Sequence, residues 1–210
     1  MPIFRGVSNT ILFIHIPKTG GTSVEKYFSN KYDMDLFTEK IPYVYNFIEF
    51  KISLQHQTLN TILKNKKLFK LTMVNTDVIT IVRNPYARLI SELFWSNLIN
   101  KNTTKEAISH VIKKLIDDYK INNSIYDNHI RPQYEFLIYK NKINSNIKIL
   151  KTENLQGMMH THGYTDFNIH LLNNNNTDNY MKYLNRNSIN LINIFYDEDF
   201  KRFNYSKLIN

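Results

Sequence analysis

The run Ile11-Leu12-Phe13-Ile14-His15-Ile16 is apolar at nearly every successive position rather than at alternate ones, and Pro17 ends it. A strand of that kind has both faces buried, which suits a parallel sheet covered by helices on either side. Two further runs have the same character: Val78-Ile79-Thr80-Ile81-Val82, closed by Arg83-Asn84-Pro85, and the weaker Ile147-Lys148-Ile149-Leu150. Helical spacing fills the intervals. Thr22 or Ser23 can cap a helix through Val24, Tyr27 and Phe28, and Pro85 suits the first turn of one carrying Leu89, Ile90, Leu93 and Phe94. Further helices are expected over Ala107–Tyr119, over Arg131–Tyr139, and along the stripe Ile189, Ile192, Phe195 and Tyr196. Strands alternating with helices predict an α/β fold with a central parallel sheet flanked by helices.

A chain of 210 residues, 42% hydrophobic, can bury one sizeable core, so a single domain over residues 1–210 is expected. There is no cysteine, which excludes disulfides and thiolate metal sites. The apolar run at 11–16 is far too short to span a bilayer and nothing resembles a signal peptide, so a cytoplasmic protein is expected. The formal charge of +9 favours anionic partners without choosing among nucleotides, acidic glycans, nucleic acids and lipids. Its densest cluster, Lys64, Lys66, Lys67 and Lys70, reads as a solvated helix face, and Asn173–Asn176 as a loop.

Gly is scarce, five in all, yet Gly20 and Gly21 stand together in His15-Ile16-Pro17-Lys18-Thr19-Gly20-Gly21-Thr22-Ser23, between the first strand and the first helix. Such a turn is suited to phosphate. Glycine lets backbone N–H groups approach an anion, and the helix N-terminus adds its dipole. Lys18 adds a full charge, and Thr19, Thr22 and Ser23 add hydroxyls. This is not the Gly-x-x-x-x-Gly-Lys-Ser/Thr loop of ATP- and GTP-binding proteins, because Lys18 precedes the glycines. A second segment, Arg83-Asn84-Pro85-Tyr86-Ala87-Arg88-Leu89-Ile90-Ser91, repeats the architecture. Arg83 leaves a buried strand and Ser91 lies two turns into the next helix, a pair able to clamp another phosphate. Arg88 reads as a surface helix residue. Ligands of open α/β sheets sit at the carboxyl ends of the strands, so both segments are expected to face one crevice.

These residues resemble the PAPS-dependent sulfotransferases, which use 3′-phosphoadenosine 5′-phosphosulfate as donor. His15–Ser23 looks like their 5′-phosphosulfate loop and Arg83–Ser91 like their 3′-phosphate motif. The wording is similar to the carbohydrate branch, which includes heparan and chondroitin O-sulfotransferases. His129-Ile-Arg-Pro-Gln133, Lys151-Thr-Glu-Asn-Leu155 and Tyr196-Asp-Glu-Asp-Phe200 with Phe203 and Tyr205 extend the likeness along most of the chain. The branch's animal members carry a membrane anchor and cysteines, and this chain departs from them in both.

The resemblance implies a P-loop-like three-layer fold and in-line sulfuryl transfer from PAPS to an acceptor hydroxyl, the acceptor being a glycan. It implies that Lys18, Thr19, Gly20, Gly21, Thr22 and Ser23 hold the 5′-phosphosulfate, that Arg83 and Ser91 hold the 3′-phosphate, and that Lys18 stabilises the departing oxygen. The base is expected between the two nucleotide motifs. His56, in Leu54-Gln-His-Gln-Thr58, is the one histidine there, with Glu49 the next candidate. His129 and Arg131 are expected to touch the acceptor, and His15 to be structural. No metal is expected, and His160 and His162 read as residues of a surface loop. Two other readings compete. A nucleotide kinase-like phosphotransferase shares the strand, loop and helix but lacks the matching lysine position. A nucleic-acid-binding protein would account for the charge, yet no arginine-rich arm, zinc finger or RNA-binding signature is found.

Overall fold

The computed structural model describes residues 2–35, 43–45, 48–169 and 177–209. The loop expected at residues 173–176 and the side chain of Glu49 lie outside the described residues. The chain opens with strands β1 (Ile3–Arg5) and β2 (Thr10–Ile14), helix α1 (Gly21–Ser29) and strand β3 (Asp33–Asp35). A small hairpin, β4 (Tyr43–Tyr45) and β5 (Ile48–Phe50), precedes helix α2 (Leu59–Lys64). Then come β6 (Thr76–Val82), α3 (Pro85–Trp95), α4 (Lys105–Ile121), α5 (Gln133–Leu137), the hairpin β7 (Ile138–Tyr139) and β8 (Lys142–Ile143), and β9 (Ile147–Lys151). Helices α6 (Leu155–Thr161), α7 (Arg186–Phe195) and α8 (Asp197–Arg202) complete the order.

The central sheet runs β3-β1-β2-β6-β9. Strands β2, β6 and β9 are parallel, and β1 and β3 add an antiparallel edge. The three expected strands are thus the parallel core. Their unbroken apolar character has a direct cause: Leu12, Ile14, Val78 and Val82 face one cluster with α2 and α5, while Ile11, Phe13, Ile79 and Ile81 face another with α1 and α6. A third cluster joins α3, α4, α7 and α8 around Tyr86, Ile112, Ile192 and Phe200. Among the described residues, no helix is long and apolar enough to cross a membrane.

Local chemistry explains most element ends. Pro85 opens α3, and Asn84 caps it by accepting from the N–H groups of Tyr86 and Ala87. Thr104 caps α4, and Asn185 with Ser188 forms a capping box on α7. Three expectations are corrected. Helix α1 starts at Gly20, a left-handed residue at φ 87°, rather than at a Thr22 or Ser23 cap. The helix expected over Arg131–Tyr139 is only Gln133–Leu137, because the chain turns at once into the β7–β8 hairpin. His160 lies in α6 and bonds the Phe167 carbonyl at 2.9 Å rather than sitting in a loop. The lysines at 64, 66, 67 and 70 are exposed, but only Lys64 lies on a helix, since α2 ends there and the other three occupy the turns that follow.

The carboxyl ends of β2, β6 and β9 lie side by side, and buried polar groups tie the segments that leave them. Arg88 is 2% exposed, which overturns its reading as a surface residue. Its guanidinium donates to Pro17 O at 3.0 Å, Arg131 O at 2.9 Å and His129 O at 2.7 Å. Thr152 Oγ1 lies 2.7 Å from Thr19 O and 3.1 Å from Val82 O. Gln133 brackets Arg83, accepting from its N–H and donating to its carbonyl, both at 2.9 Å. Buried Asp199 accepts in turn from the N–H groups of Gln133 and Tyr134, each at 2.8 Å. Truncating the Arg88 guanidinium by Arg88→Met leaves three carbonyls without their donor. Urea unfolding should register a loss on the order of 3 kcal/mol, and a loss below about 1 kcal/mol would mean that Arg88 does not hold the segments together.

Candidate active site

The loop after β2 is shaped by its backbone. Lys18 is a left-handed non-glycine residue at φ 68°, a conformation that costs on the order of 1 kcal/mol and persists only where the surroundings enforce it. Arg88 holds the carbonyl before it, and Arg83 Nη1 donates to Lys18 O at 3.3 Å. Thr19 is fully buried, and its hydroxyl turns inward to Ile16 O at 2.8 Å. The two glycines serve different needs. Gly20 supplies the left-handed turn into α1. A Cβ on Gly21 would lie 2.9 Å from Cε1 of His15, so its missing side chain lets the helix close over that imidazole. Gly20, at the cap position of α1, has no side chain with which to cap it. Thr22 is exposed beside the turn and Ser23 is buried. The 5′-loop residues are therefore together, with Thr19 and Gly21 answering to packing as well as to any ligand.

Arg83 stands half-buried at the end of β6, joined to this loop through Lys18 O. Ser91 is half-buried on α3 and, among the described residues, makes no hydrogen bond to Arg83. Glu153 accepts from the Asn84 N–H at 2.7 Å and from the Tyr205 hydroxyl at 2.8 Å. Tyr196 donates to Ile130 O at 2.8 Å. The three segments that extend the family likeness thus brace the two phosphate-type segments.

The main feature that the sequence conceals is a row of three imidazoles, each with a carboxylate on Nδ1. His15 pairs with Glu25 at 2.5 Å, His56 with Asp127 at 2.7 Å, and His129 with Glu92 at 2.7 Å. The ring of His56 lies 5.4 Å from that of His15 and 4.8 Å from that of His129, both edge-on. His129 stacks on Trp95 at 4.6 Å, and Lys18 Nζ lies 4.8 Å from the Trp95 centroid. His15, read as structural, is buried as that role requires, and it also begins the row. Arg131 is engaged elsewhere, with Asn128 at 2.8 Å, Glu135 at 2.9 Å and Asn123 O at 3.1 Å. Glu25, Glu92, Asp127 and Trp95 were not singled out from sequence. For Glu25 and Glu92 the available signal was a carboxylate in a helix position that packing buries, beside Val24 and Leu93.

Asp127 reaches His56 from a turn in which Tyr126, Asp127 and Asn128 are all left-handed, at φ 57°, 50° and 64°. Asn128 Nδ2 ties the turn to His56 O at 2.9 Å, and Ser53 donates to Asp127 through both N–H and hydroxyl, each at 2.7 Å. Burial pushes the Asp127 carboxyl up, but the hydrogen bonds from His56 and Ser53 outweigh it and hold the group below its ordinary range. Glu25 is likewise pushed up by burial and brought below its usual range by His15 and Gln55. Burial above all drives His56 down, to about 4. At neutral pH, then, an ionised Asp127 accepts from a neutral His56, so Nδ1 carries the proton and Nε2 is left as a bare acceptor. Burial also lowers Lys18, with Arg83 pushing the same way and Glu92 opposing.

His56, Asp127 and His129 place one ligand-type atom each within 4.8 Å of one another, so the fold gathers a grouping of metal-ligand type that the sequence reading did not foresee. Asp127 and Glu92 occupy Nδ1 of the two rings, which leaves Nε2 as the ring nitrogen of each that could ligate an ion. The arrangement as a whole sets a neutral His56 in a row of rings that runs through His129 and Trp95 to Lys18.

The family model described as "Sulfotransferase family" matches residues 3–206. Comparison with curated proteins and with solved structures gives no match.

Two measurements follow from the His56–Asp127 geometry. Long-range ¹H–¹⁵N spectra at pH 7 should show His56 as the Nδ1–H tautomer, with no titration until well below its ordinary pKa of 6.5; a midpoint near 6.5 would refute the buried dyad. The unfolded chain protonates His56 near 6.5 and the folded chain only near 4, so this residue's contribution to stability is present above 6.5 and is lost as pH falls towards 4. His56→Gln should flatten that part of the stability profile.

Proposed function

Since the chain belongs to the sulfotransferase family, we propose that it takes the sulfuryl group from PAPS and delivers it to a carbohydrate hydroxyl by in-line displacement. One observation carries the mechanism: His56, held neutral with Nε2 bare, is linked through the His129 and Trp95 rings to Lys18 at the strand-end loop. The acceptor oxygen attacks sulfur and passes its proton to His56 Nε2. The new O–S bond forms as the bond from sulfur to the bridging oxygen breaks. Adenosine 3′,5′-bisphosphate (PAP) leaves with the negative charge on its 5′-phosphate, where Lys18 meets it. Asp127 keeps His56 in the useful tautomer and stabilises the imidazolium that forms.

In this reading Gly20, Gly21, Thr22 and Ser23 line the 5′-phosphosulfate with the backbone of Thr19, since the Thr19 hydroxyl is spent on Ile16 O. Arg83 takes the 3′-phosphate, with Ser91 as its partner. The sheet with helices on both faces and the loop at a strand end suit a P-loop-like arrangement in one domain. His129 and Arg131 border the acceptor space, His129 directly and Arg131 through the turn that carries Asn128. Against a phosphotransferase stands the order of Lys18 and the glycines. The transferred sulfuryl group also carries less charge than a phosphoryl group, so its transfer needs no divalent ion.

Titration calorimetry with PAP in the absence of magnesium tests the donor. Micromolar binding, about −8 kcal/mol, should weaken roughly 10- to 100-fold in Arg83→Ala. Preference for ATP over PAP would reject the donor assignment. In turnover assays, His56→Ala should lower kcat by about 10²- to 10⁴-fold while leaving PAP affinity in place. An unchanged kcat would move the base elsewhere, with Glu49 the next candidate.

A further inference from the structure

Trp95 is the single tryptophan of the chain and stands at the end of α3 with 54% of its surface exposed. Large aromatic side chains are mostly covered, and an open one beside a catalytic cluster invites a ligand. Among the described residues, the two groups that lie against its ring differ in permanence. His129 stacks on it with planes 22° from parallel, and is itself buried and fixed by Glu92, one turn earlier on the same helix. Lys18 rests over the ring at 4.8 Å, and among the described residues its ammonium makes no hydrogen bond. An ammonium on an indole gains a cation–π attraction, which a phosphosulfate at the same loop would exceed with full charges and oxygen acceptors.

We propose that Lys18 is a donor-operated cover on Trp95, and that the indole it uncovers is the platform on which a pyranose ring of the acceptor lands. The inference rests on the proposed PAPS chemistry and extends it to the acceptor. Without donor, Lys18 lies over the indole. When the donor settles on the α1 N-terminus, Lys18 moves to its bridging oxygen and uncovers apolar ring surface. A pyranose suits that surface, because its axial C–H groups form an apolar face and its hydroxyls project from the rim. The platform adjoins the histidine row, because the same indole stacks on His129, whose ring is 4.8 Å from that of His56. The consequence is order: donor first, acceptor second. The cover contact corresponds to a coupling of about two- to thirtyfold, and linkage makes it reciprocal between donor and acceptor.

The single tryptophan makes the test direct, since all indole fluorescence comes from Trp95. PAP, with its binding verified by calorimetry, should shift Trp95 emission in the wild type. In Lys18→Ala the emission should start at the uncovered value and move little with PAP. On PAP-saturated protein, an unsulfated heparosan or chondroitin hexasaccharide should shift the emission and bind about fivefold more tightly than without PAP. Trp95→Ala should weaken the hexasaccharide by at least about tenfold. The same variant should bind PAP as well as the wild type or up to about fivefold better, because Lys18 no longer has to be lifted; Trp95→Phe, which keeps a ring, should restore hexasaccharide binding. Four results each overturn the proposal while leaving the donor assignment standing. PAP could bind without moving the emission. It could move the emission equally in Lys18→Ala, which would mean that adenine stacks on the indole. Neither hexasaccharide could bind, or a tyrosine peptide could take their place. Both hexasaccharide affinities could be independent of PAP. Failure of PAP to bind in the calorimeter overturns the cover and the donor assignment together.

Discussion

The guanidinium of Arg88 donates to the carbonyls of Pro17, His129 and Arg131, and through these bonds it joins the loop after β2 to the segment before α5. A charge this deeply buried is costly unless its donors are used, and three carbonyl dipoles meet it here. The geometry of the candidate site depends on this clasp. Pro17 precedes Lys18, and His129 is the ring that stacks on Trp95, so one side chain on α3 sets the spacing between the cation and the histidine row. Glu92, four residues further along the same helix, then fixes the His129 ring itself. Helix α3 thus acts as a jig: Asn84 caps it against the strand end, Arg88 and Glu92 position the loops, and Trp95 closes the row.

Each buried imidazole has a carboxylate on Nδ1, and in the His56 pair the two partners are held in complementary states. Asp127 stays ionised because Ser53 and His56 donate to it, and His56 stays neutral because burial outweighs the attraction of Asp127. The polar groups carry structural load as well. Asp199, driven up to about 6 by burial, still accepts from two backbone N–H groups at the start of α5, which places Gln133 against Arg83. The C-terminal Tyr-Asp-Glu-Asp-Phe segment therefore reaches the phosphate-type arginine through two hydrogen-bonded steps.

The strands and the phosphate-type loop were legible in the sequence for physical reasons. Burial on both sheet faces leaves no room for polar alternation in β2 or β6, so the apolar runs announce the parallel core. Pro85 marks the start of α3 by local chemistry alone, whereas the start of α1 at left-handed Gly20 is hidden behind the cap-type residues Thr22 and Ser23. The errors had the opposite origin. Arg88 sits in a helix where periodicity is ambiguous for a long charged side chain, and only the carbonyls that converge on it make burial tolerable. Gly21 has, besides its place in the loop, a packing reason that the sequence does not show: a Cβ there would meet the His15 ring. Asp127 lies 71 residues from the histidine it orients, and the turn that presents it strings together three left-handed non-glycine residues, of which Asp127 and Asn128 tolerate that conformation and Tyr126 does not favour it.

The sequence by itself determined the α/β class, the strand-end position of Lys18 and Arg83, and the sulfotransferase likeness, since these depend on local patterns of burial, turn formation and charge. Only the tertiary structure decided which carboxylate serves which histidine, that Arg88 is an interior clasp, and that Lys18 rests on Trp95. Those are contacts between residues 40 to 80 positions apart in most cases, as with Arg88 and Pro17 or His56 and Asp127. Hydrogen-bond partners at that separation leave no periodic trace along the chain, because they are chosen by packing of the whole core and not by neighbours in sequence.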